Sequence, residues 1–85
     1  MYNYTIVLGK TARRSLDKIP LKLAEPIFSA IEDLSANPRP QDYKKLKGRI
    51  GYRIRVGNYR VIYDILDTEL IIDVIDAGHR KDIYE

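Results

Sequence analysis

The sequence predicts an α+β domain: an N-terminal strand, a two-helix hairpin, and then an antiparallel meander of three to four strands, with the helices on one face of the sheet. Strand-type, helix-type and again strand-type hydrophobic patterns follow one another in blocks, which favours segregated helices and sheet over an alternating plan. Proline breaks at Pro20 and in Asn37-Pro38-Arg39-Pro40 punctuate the helical block. Within residues 51–63, two short runs rich in β-branched and aromatic side chains flank Gly57-Asn58, a pair suited to a two-residue hairpin turn because both residues accept positive φ.

The elements follow in order. Residues 2–8 (Tyr-Asn-Tyr-Thr-Ile-Val-Leu) read as the first strand. Gly9-Lys10-Thr11 breaks it, with Thr11 placed to cap a short helix. Ala12, Leu16 and Ile19 then recur at helical spacing until Pro20 ends the stripe. Leu23, Ile27, Ala30, Ile31 and Leu34 mark the apolar face of a second helix. Pro26 is harmless there if the helix begins near Leu23, because the first N–H groups of a helix lack intrahelical partners; a start at Leu21 predicts a kink near Pro26. Residues 41–51 form a basic connection whose Tyr43 either stacks on a base or, more commonly for such a residue, anchors the loop against the core. The strand after the hairpin turn runs through Ile65, and Leu66-Asp67-Thr68-Glu69 reverses the chain. Leu70-Ile71-Ile72-Asp73-Val74-Ile75 is a nearly unbroken apolar run, as expected of a strand buried on both faces, and alternation leaves its register unspecified.

Eighty-five residues suffice for one domain spanning 1–85, and 45% hydrophobic with 32% charged residues favours a folded globule over disorder. The absence of cysteine excludes disulfides and thiolate metal sites, and a single histidine argues against a dedicated transition-metal site; no cofactor is expected. No apolar run approaches the roughly 18 residues of a membrane span, and Met1 leads into Tyr2-Asn3-Tyr4 rather than a signal peptide, so a cytoplasmic protein without membrane contact is expected.

The net charge is only +3, but it is unevenly spread. Arg39, Lys44, Lys45, Lys47, Arg49, Arg53, Arg55 and Arg60 face a single acid, Asp42, in the same stretch, whereas residues 61–76 carry Asp64, Asp67, Glu69, Asp73 and Asp76 without one basic residue. This asymmetry is the footprint of a phosphate-bearing partner; the plainer alternative is a solvated loop with incidental lysines. If Val56 and Tyr59 flank the hairpin turn, Ile54 faces Val61, Tyr52 faces Tyr63, and Arg53, Arg55 and Arg60 share the opposite side of the ribbon. Arg55 then lies directly across from Arg60. Like charges in that position weaken a hairpin, so an anionic partner is expected to compensate.

Three pieces in order, Lys45-Leu46-Lys47-Gly48, the stretch 51–63 and Gly78-His79-Arg80-Lys81-Asp82-Ile83-Tyr84, resemble the RelE/ParE toxin superfamily on its RelE-like side. The resemblance covers nearly the whole chain. It implies the toxin half of a type II toxin–antitoxin pair, an mRNA endonuclease (mRNA interferase) acting in the ribosomal A site, and thus contacts with mRNA and rRNA. It also implies a cognate RelB-like antitoxin that wraps the toxin and blocks its basic face.

Metal-independent RNA cleavage can proceed by attack of the ribose 2′-OH on the adjacent phosphate, leaving a 2′,3′-cyclic phosphate. That reaction needs a base for the 2′-OH, an acid for the leaving 5′-oxygen and cations for the phosphorane charge. By resemblance, Arg60 and Arg80 match positions that stabilise the scissile phosphate, and Tyr84 matches a terminal tyrosine that orients or activates the nucleophile. Arg53 and Arg55 fall where the best-known family member carries two lysines with acid/base roles. An arginine stays protonated, so these two can hold phosphate but cannot serve as the base, which leaves His79, Tyr84 or no efficient base. Lys45, Lys47 and Arg49 are expected to grip an RNA backbone. Two alternatives stand beside this reading: a ParE-like toxin that poisons DNA gyrase, and a catalytically silent antitoxin-binding domain.

Overall fold

The structure is a computed structural model and describes residues 3–79. Its elements are β1 (Thr5–Leu8), α1 (Lys10–Asp17), α2 (Leu21–Ala36), β2 (Lys44–Lys45), β3 (Tyr52–Val56), β4 (Tyr59–Leu66) and β5 (Ile71–His79). The strands form one sheet in the order β1-β5-β4-β3-β2, antiparallel throughout except that β1 runs parallel to β5. This is the expected strand, helical hairpin and meander, with β2 adding a short edge.

Both helices pack on one side of the sheet, α1 against β5 and α2 against β1, β3 and β4. The core between them contains Ala12, Leu16, Ile27, Ile31 and Leu34 from the helices and Ile54, Val61, Tyr63, Ile65, Ile72, Val74 and Ala77 from the sheet. The helix set follows the 3.6 period and the β3 and β4 residues the period of 2, so there the sequence pattern reports the layer directly. Ala12 and Leu16 hold the expected stripe of α1, but its cap is Gly9, not Thr11, and no side chain caps it. Gly9 donates its N–H to the Val74 carbonyl at 2.9 Å, and a Cβ there would stand 3.0 Å from the same oxygen. Close approach of backbone to backbone is therefore why this position has no side chain.

Helix α2 begins at Leu21, with Pro20 at its N-cap, and Pro26 lies inside it beyond the positions where a missing N–H costs nothing. Leu23 is half exposed, and Ala24 takes its place in the buried stripe with Ile27, Ile31 and Leu34. The helix stops at Asn37, whose extended backbone precedes Pro38. Tyr63, fully buried, donates its hydroxyl to the Pro38 carbonyl at 2.7 Å. Its ring stands 6.1 Å from that of Tyr52, which in turn lies 5.6 Å from Tyr43. This aromatic ladder ties the segment after α2 to the sheet, and Tyr43 is a loop anchor within it.

The hairpin register is the expected one: Tyr52 opposite Tyr63, Ile54 opposite Val61, Arg55 opposite Arg60 and Val56 opposite Tyr59. Only Gly57 of the turn takes positive φ (60°), the arrangement of a turn with glycine at its first central position. Asn58 does not use its tolerance for that region.

Strand β5 departs from expectation. Ile72 and Val74 are buried, but Ile71, Asp73 and Ile75 are only half-buried, so one face is packed and the other is partly covered. A register shift against β4 separates the pair Ile62–Asp76 from Tyr63–Val74, leaving Ile75 as the extra residue of a bulge. The bulge lets Ile72, Val74 and Ala77 all face the helices despite their uneven spacing, which is why simple alternation could not specify the register.

Candidate functional site

On the face opposite the helices the strands bring charges together. Partners in an antiparallel ladder share a face. Arg55 and Arg60 face each other across the hairpin, Arg53 lies opposite Ile62, and β2 places Lys44 opposite Arg53. Lys44 thus joins the arginine face, whereas Lys45 pairs with Tyr52 on the helix side. Sequence reasoning counted Lys44 in the basic cluster but could not place it on this face, because the assignment depends on a two-residue strand with no pattern of its own. Beyond β2, Leu46 donates its N–H to the Gly51 carbonyl at 3.0 Å and closes an exposed turn carrying Lys47 and Arg49. Gly48 and Gly51 at positive φ make that closure possible.

The face is not uniformly open. Arg55 is exposed and Arg60 half-buried, but Arg53 is only 2% exposed. This side also carries apolar groups: Leu46 and Ile62 are buried, and the side chains of Leu46 and Ile75 converge beside Gly51. Arg53 stands opposite Ile62 in the ladder, with Nη1 donating to the backbone carbonyl of Asp42 at 3.3 Å.

Farther along the same face the sign reverses. Asp64 of β4 stands opposite Asp73 of β5, a second like-charge pair. The surface therefore runs from a basic end at the hairpin tip and β2 to an acidic end at the β4–β5 turn. A polyanion is attracted at one end and repelled at the other, which confines it to the hairpin half.

His79 is not on the arginine face. It pairs with Tyr59, whose strand neighbours Val61 and Tyr63 point to the helices, and its ring stands edge-on to Tyr59 at 5.6 Å. Arg60 instead lies opposite Gly78. The expected partnership of His79 with the arginines is thus split by the sheet. His79 lines a different cleft of about 400 Å³, with Ser15, Lys18, Tyr59 and Asp76. There Asp76 Oδ1 accepts hydrogen bonds from Ser15 Oγ at 2.9 Å and from the Ala77 N–H at 2.8 Å. Arg80 and Tyr84 lie outside the described residues.

Perturbed groups lie away from the arginines. Burial pushes the Tyr63 phenol far above its usual range, with Tyr43 and Asp42 adding to the effect, so it remains a neutral donor. At the other end of the sheet Asp67 receives Arg39 Nη2 at 2.9 Å and the Tyr4 hydroxyl at 2.6 Å. These hydrogen bonds, that of Arg39 foremost, hold its carboxyl below the usual range. They tie β1, the loop after α2 and the β4–β5 turn together at the surface. Among the described residues no group of three metal-ligating side chains converges, and no helix is long and apolar enough to cross a membrane.

A family model described as the ParE toxin of type II toxin–antitoxin system, parDE, matches residues 6–84. The chain belongs to the RelE/ParE family of type II toxins. Relatives of this toxin include Toxin RelG of Mycobacterium tuberculosis, 36% identical over 84 residues that span 95% of either chain, and Toxin RelE3 of Methanocaldococcus jannaschii, 36% identical over 94% of either. Among solved structures, the toxin–antitoxin complex RelBE2 of M. tuberculosis superposes with a TM-score of 0.80 at 31% identity, covering 92% of this toxin and 99% of that chain. The archaeal RelE–RelB complex of Pyrococcus horikoshii likewise gives 0.80 at 25% identity, covering 95% and 99%. The isolated Escherichia coli RelE toxin, at 23% identity and a TM-score of 0.77, shares the fold.

Proposed function

We propose that this toxin is a ribosome-dependent mRNA endonuclease that cleaves in the A site by 2′-OH attack and so arrests translation. The observation that carries the reading is the direct opposition of Arg55 and Arg60 beside Lys44, an arrangement that costs hairpin stability and suits a phosphate. The guanidinium forks of Arg55 and Arg60 offer bidentate contacts to the scissile phosphate, and Arg60, half-buried, is the one whose field is less screened. Lys44, Lys47 and Arg49, all exposed, grip the flanking RNA backbone, whereas Lys45 is turned to the helix side with Tyr52.

Arg80 follows directly on the last residue of β5 and adds a second cation for the phosphorane charge in this proposal. Proton transfer from the 2′-OH falls to Tyr84, because His79 faces the helices with Tyr59. The arginines keep their protons, so they stabilise charge and do not take the proton themselves. Relatives solved in complex with RelB support a RelB-like antitoxin as partner, one that covers the basic face and keeps the protein inactive in the cytoplasm.

The second reading, a gyrase poison, is favoured by the family model's own description as a ParE toxin. One comparison separates the two. Purified toxin is expected to cut mRNA on 70S-type ribosomes, leave naked RNA intact and spare gyrase supercoiling. Intact ribosome-bound mRNA together with inhibited supercoiling would reverse the assignment.

A further inference from the structure

We infer that Arg53 is a positioning residue and not a phosphate ligand: it staples the strand β2 and the basic turn beyond it to the sheet. The inference rests on the RNA-cleaving reading for its functional consequence, but not for its structural content. A phosphate ligand must present an N–H to solvent before the RNA arrives, and Arg53 is only 2% exposed, with its Nε buried. What the side chain does reach is the chain itself. Nη1 donates to the Asp42 carbonyl at 3.3 Å, two residues ahead of Lys44, which stands opposite Arg53 in the ladder. The Asp42 carboxylate in turn receives the Arg55 N–H at 3.5 Å.

Strand β2 is two residues long, and so short a ladder is a weak attachment by itself. It is also held by the Leu46 N–H to Gly51 carbonyl bond at the far side and, on the near side, by the Asp42 carboxylate on the Arg55 N–H and the Tyr43 ring against Tyr52. Arg53 adds to these the buried fastening on the near side, and Lys44 and Lys45 lie between the two ends. Holding a buried guanidinium is costly, and one use for such a group is to fix a geometry that apolar packing would leave loose. The geometry fixed here is that of the exposed cations beside Arg55 and Arg60.

The test compares R53M with R55M, using a 2′-O-methylated single-stranded oligoribonucleotide that cannot be cut. For single strands, the slope of log K against log salt falls by about 0.7 for every phosphate that the protein no longer neutralises. R55M is expected to lower it by that amount. R53M is expected to leave the slope unchanged, to abolish slow amide exchange at Lys44 and Leu46, whose N–H groups point into the ladder with β3, and to lower single-turnover cleavage per folded molecule on the order of 10²-fold, the cost of a misplacement of about 1 Å. R53K, which keeps the charge and an N–H donor, covers the case in which R53M does not fold, and it is expected to restore part of the exchange protection.

A slope reduced in R53M as in R55M overturns the inference, since Arg53 would then be a phosphate ligand. So does wild-type exchange protection in R53M, since nothing would then be stapled. If the wild-type protein neither binds nor cuts RNA, the RNA-cleaving reading fails, and the exchange comparison alone decides the role of Arg53.

Discussion

Replacing Arg55 by glutamine should make the protein more stable and less able to bind RNA. Arg55 is exposed and faces Arg60 directly across the hairpin, with no residue between them in the ladder. Side chains opposed in this way start from Cβ atoms about 4.5–5.5 Å apart. Two unit charges about 6 Å apart in water repel by about 0.7 kcal/mol, within the roughly 0.2–1 kcal/mol span of cross-strand pairs. Glutamine keeps the long stem that covers neighbouring surface and removes only the charge. Relief of about 0.5 kcal/mol corresponds to a rise in Tm of roughly 2–4 °C for a domain of this size. The gain should shrink in high salt, because exposed charges are screened beyond about 3 Å at 1 M. Thermal unfolding at low and high salt, paired with RNA-binding titrations, measures both halves. An R55Q protein that is less stable than wild type, or whose RNA affinity keeps its full salt slope, would refute the idea that this pair is held against its own repulsion for a phosphate.

Arg60→Ala should lower cleavage of ribosome-bound mRNA by about 10²–10³-fold, the loss of one charge-stabilising donor, while His79→Ala leaves the rate within about threefold of wild type; single-turnover assays read both. Tyr63→Phe leaves the Pro38 carbonyl without its 2.7 Å donor in a buried setting and should cost about 1–3 kcal/mol by denaturant unfolding. Gly9→Ala forces a Cβ to within 3.0 Å of the Val74 carbonyl, so it should cost roughly 1–3 kcal/mol, and an unchanged unfolding midpoint would show that the backbones separate freely. Asp67 has its carboxyl depressed in the folded state, so its contribution to stability is present above the unfolded pKa and is lost as pH falls through the lower folded value. A carboxyl-resolved NMR titration should place Asp67 below a free aspartate, and Arg39→Ala should bring it back up.

The α+β plan follows from local chemistry. Period-2 and period-3.6 patterns, two proline breaks and a Gly57-Asn58 turn each act over a few residues, so the chain alone set the element order and the hairpin register. The opposition of Arg55 to Arg60 follows from that register with no further information. What local chemistry could not decide were the contacts made between distant segments. Helix α2 starts at Leu21 and not Leu23, because Pro20 caps it and tertiary packing tolerates Pro26. The bulge at Ile75 depends on fitting β5 to β4 and the helices together, and it puts Ile72, Val74 and Ala77 on one face. Arg53 is buried between the two strands flanking β3, opposite Lys44 of β2 and Ile62 of β4, with its Nη1 on the Asp42 carbonyl, and these partners come from distant segments of the chain. His79 is a catalytic candidate by sequence, but strand pleating turns it to the helix side with Tyr59, away from Arg55 and Arg60. Sequence thus determined which charges the hairpin carries. Only packing against the rest of the sheet decided which of them solvent, and so a phosphate, can reach.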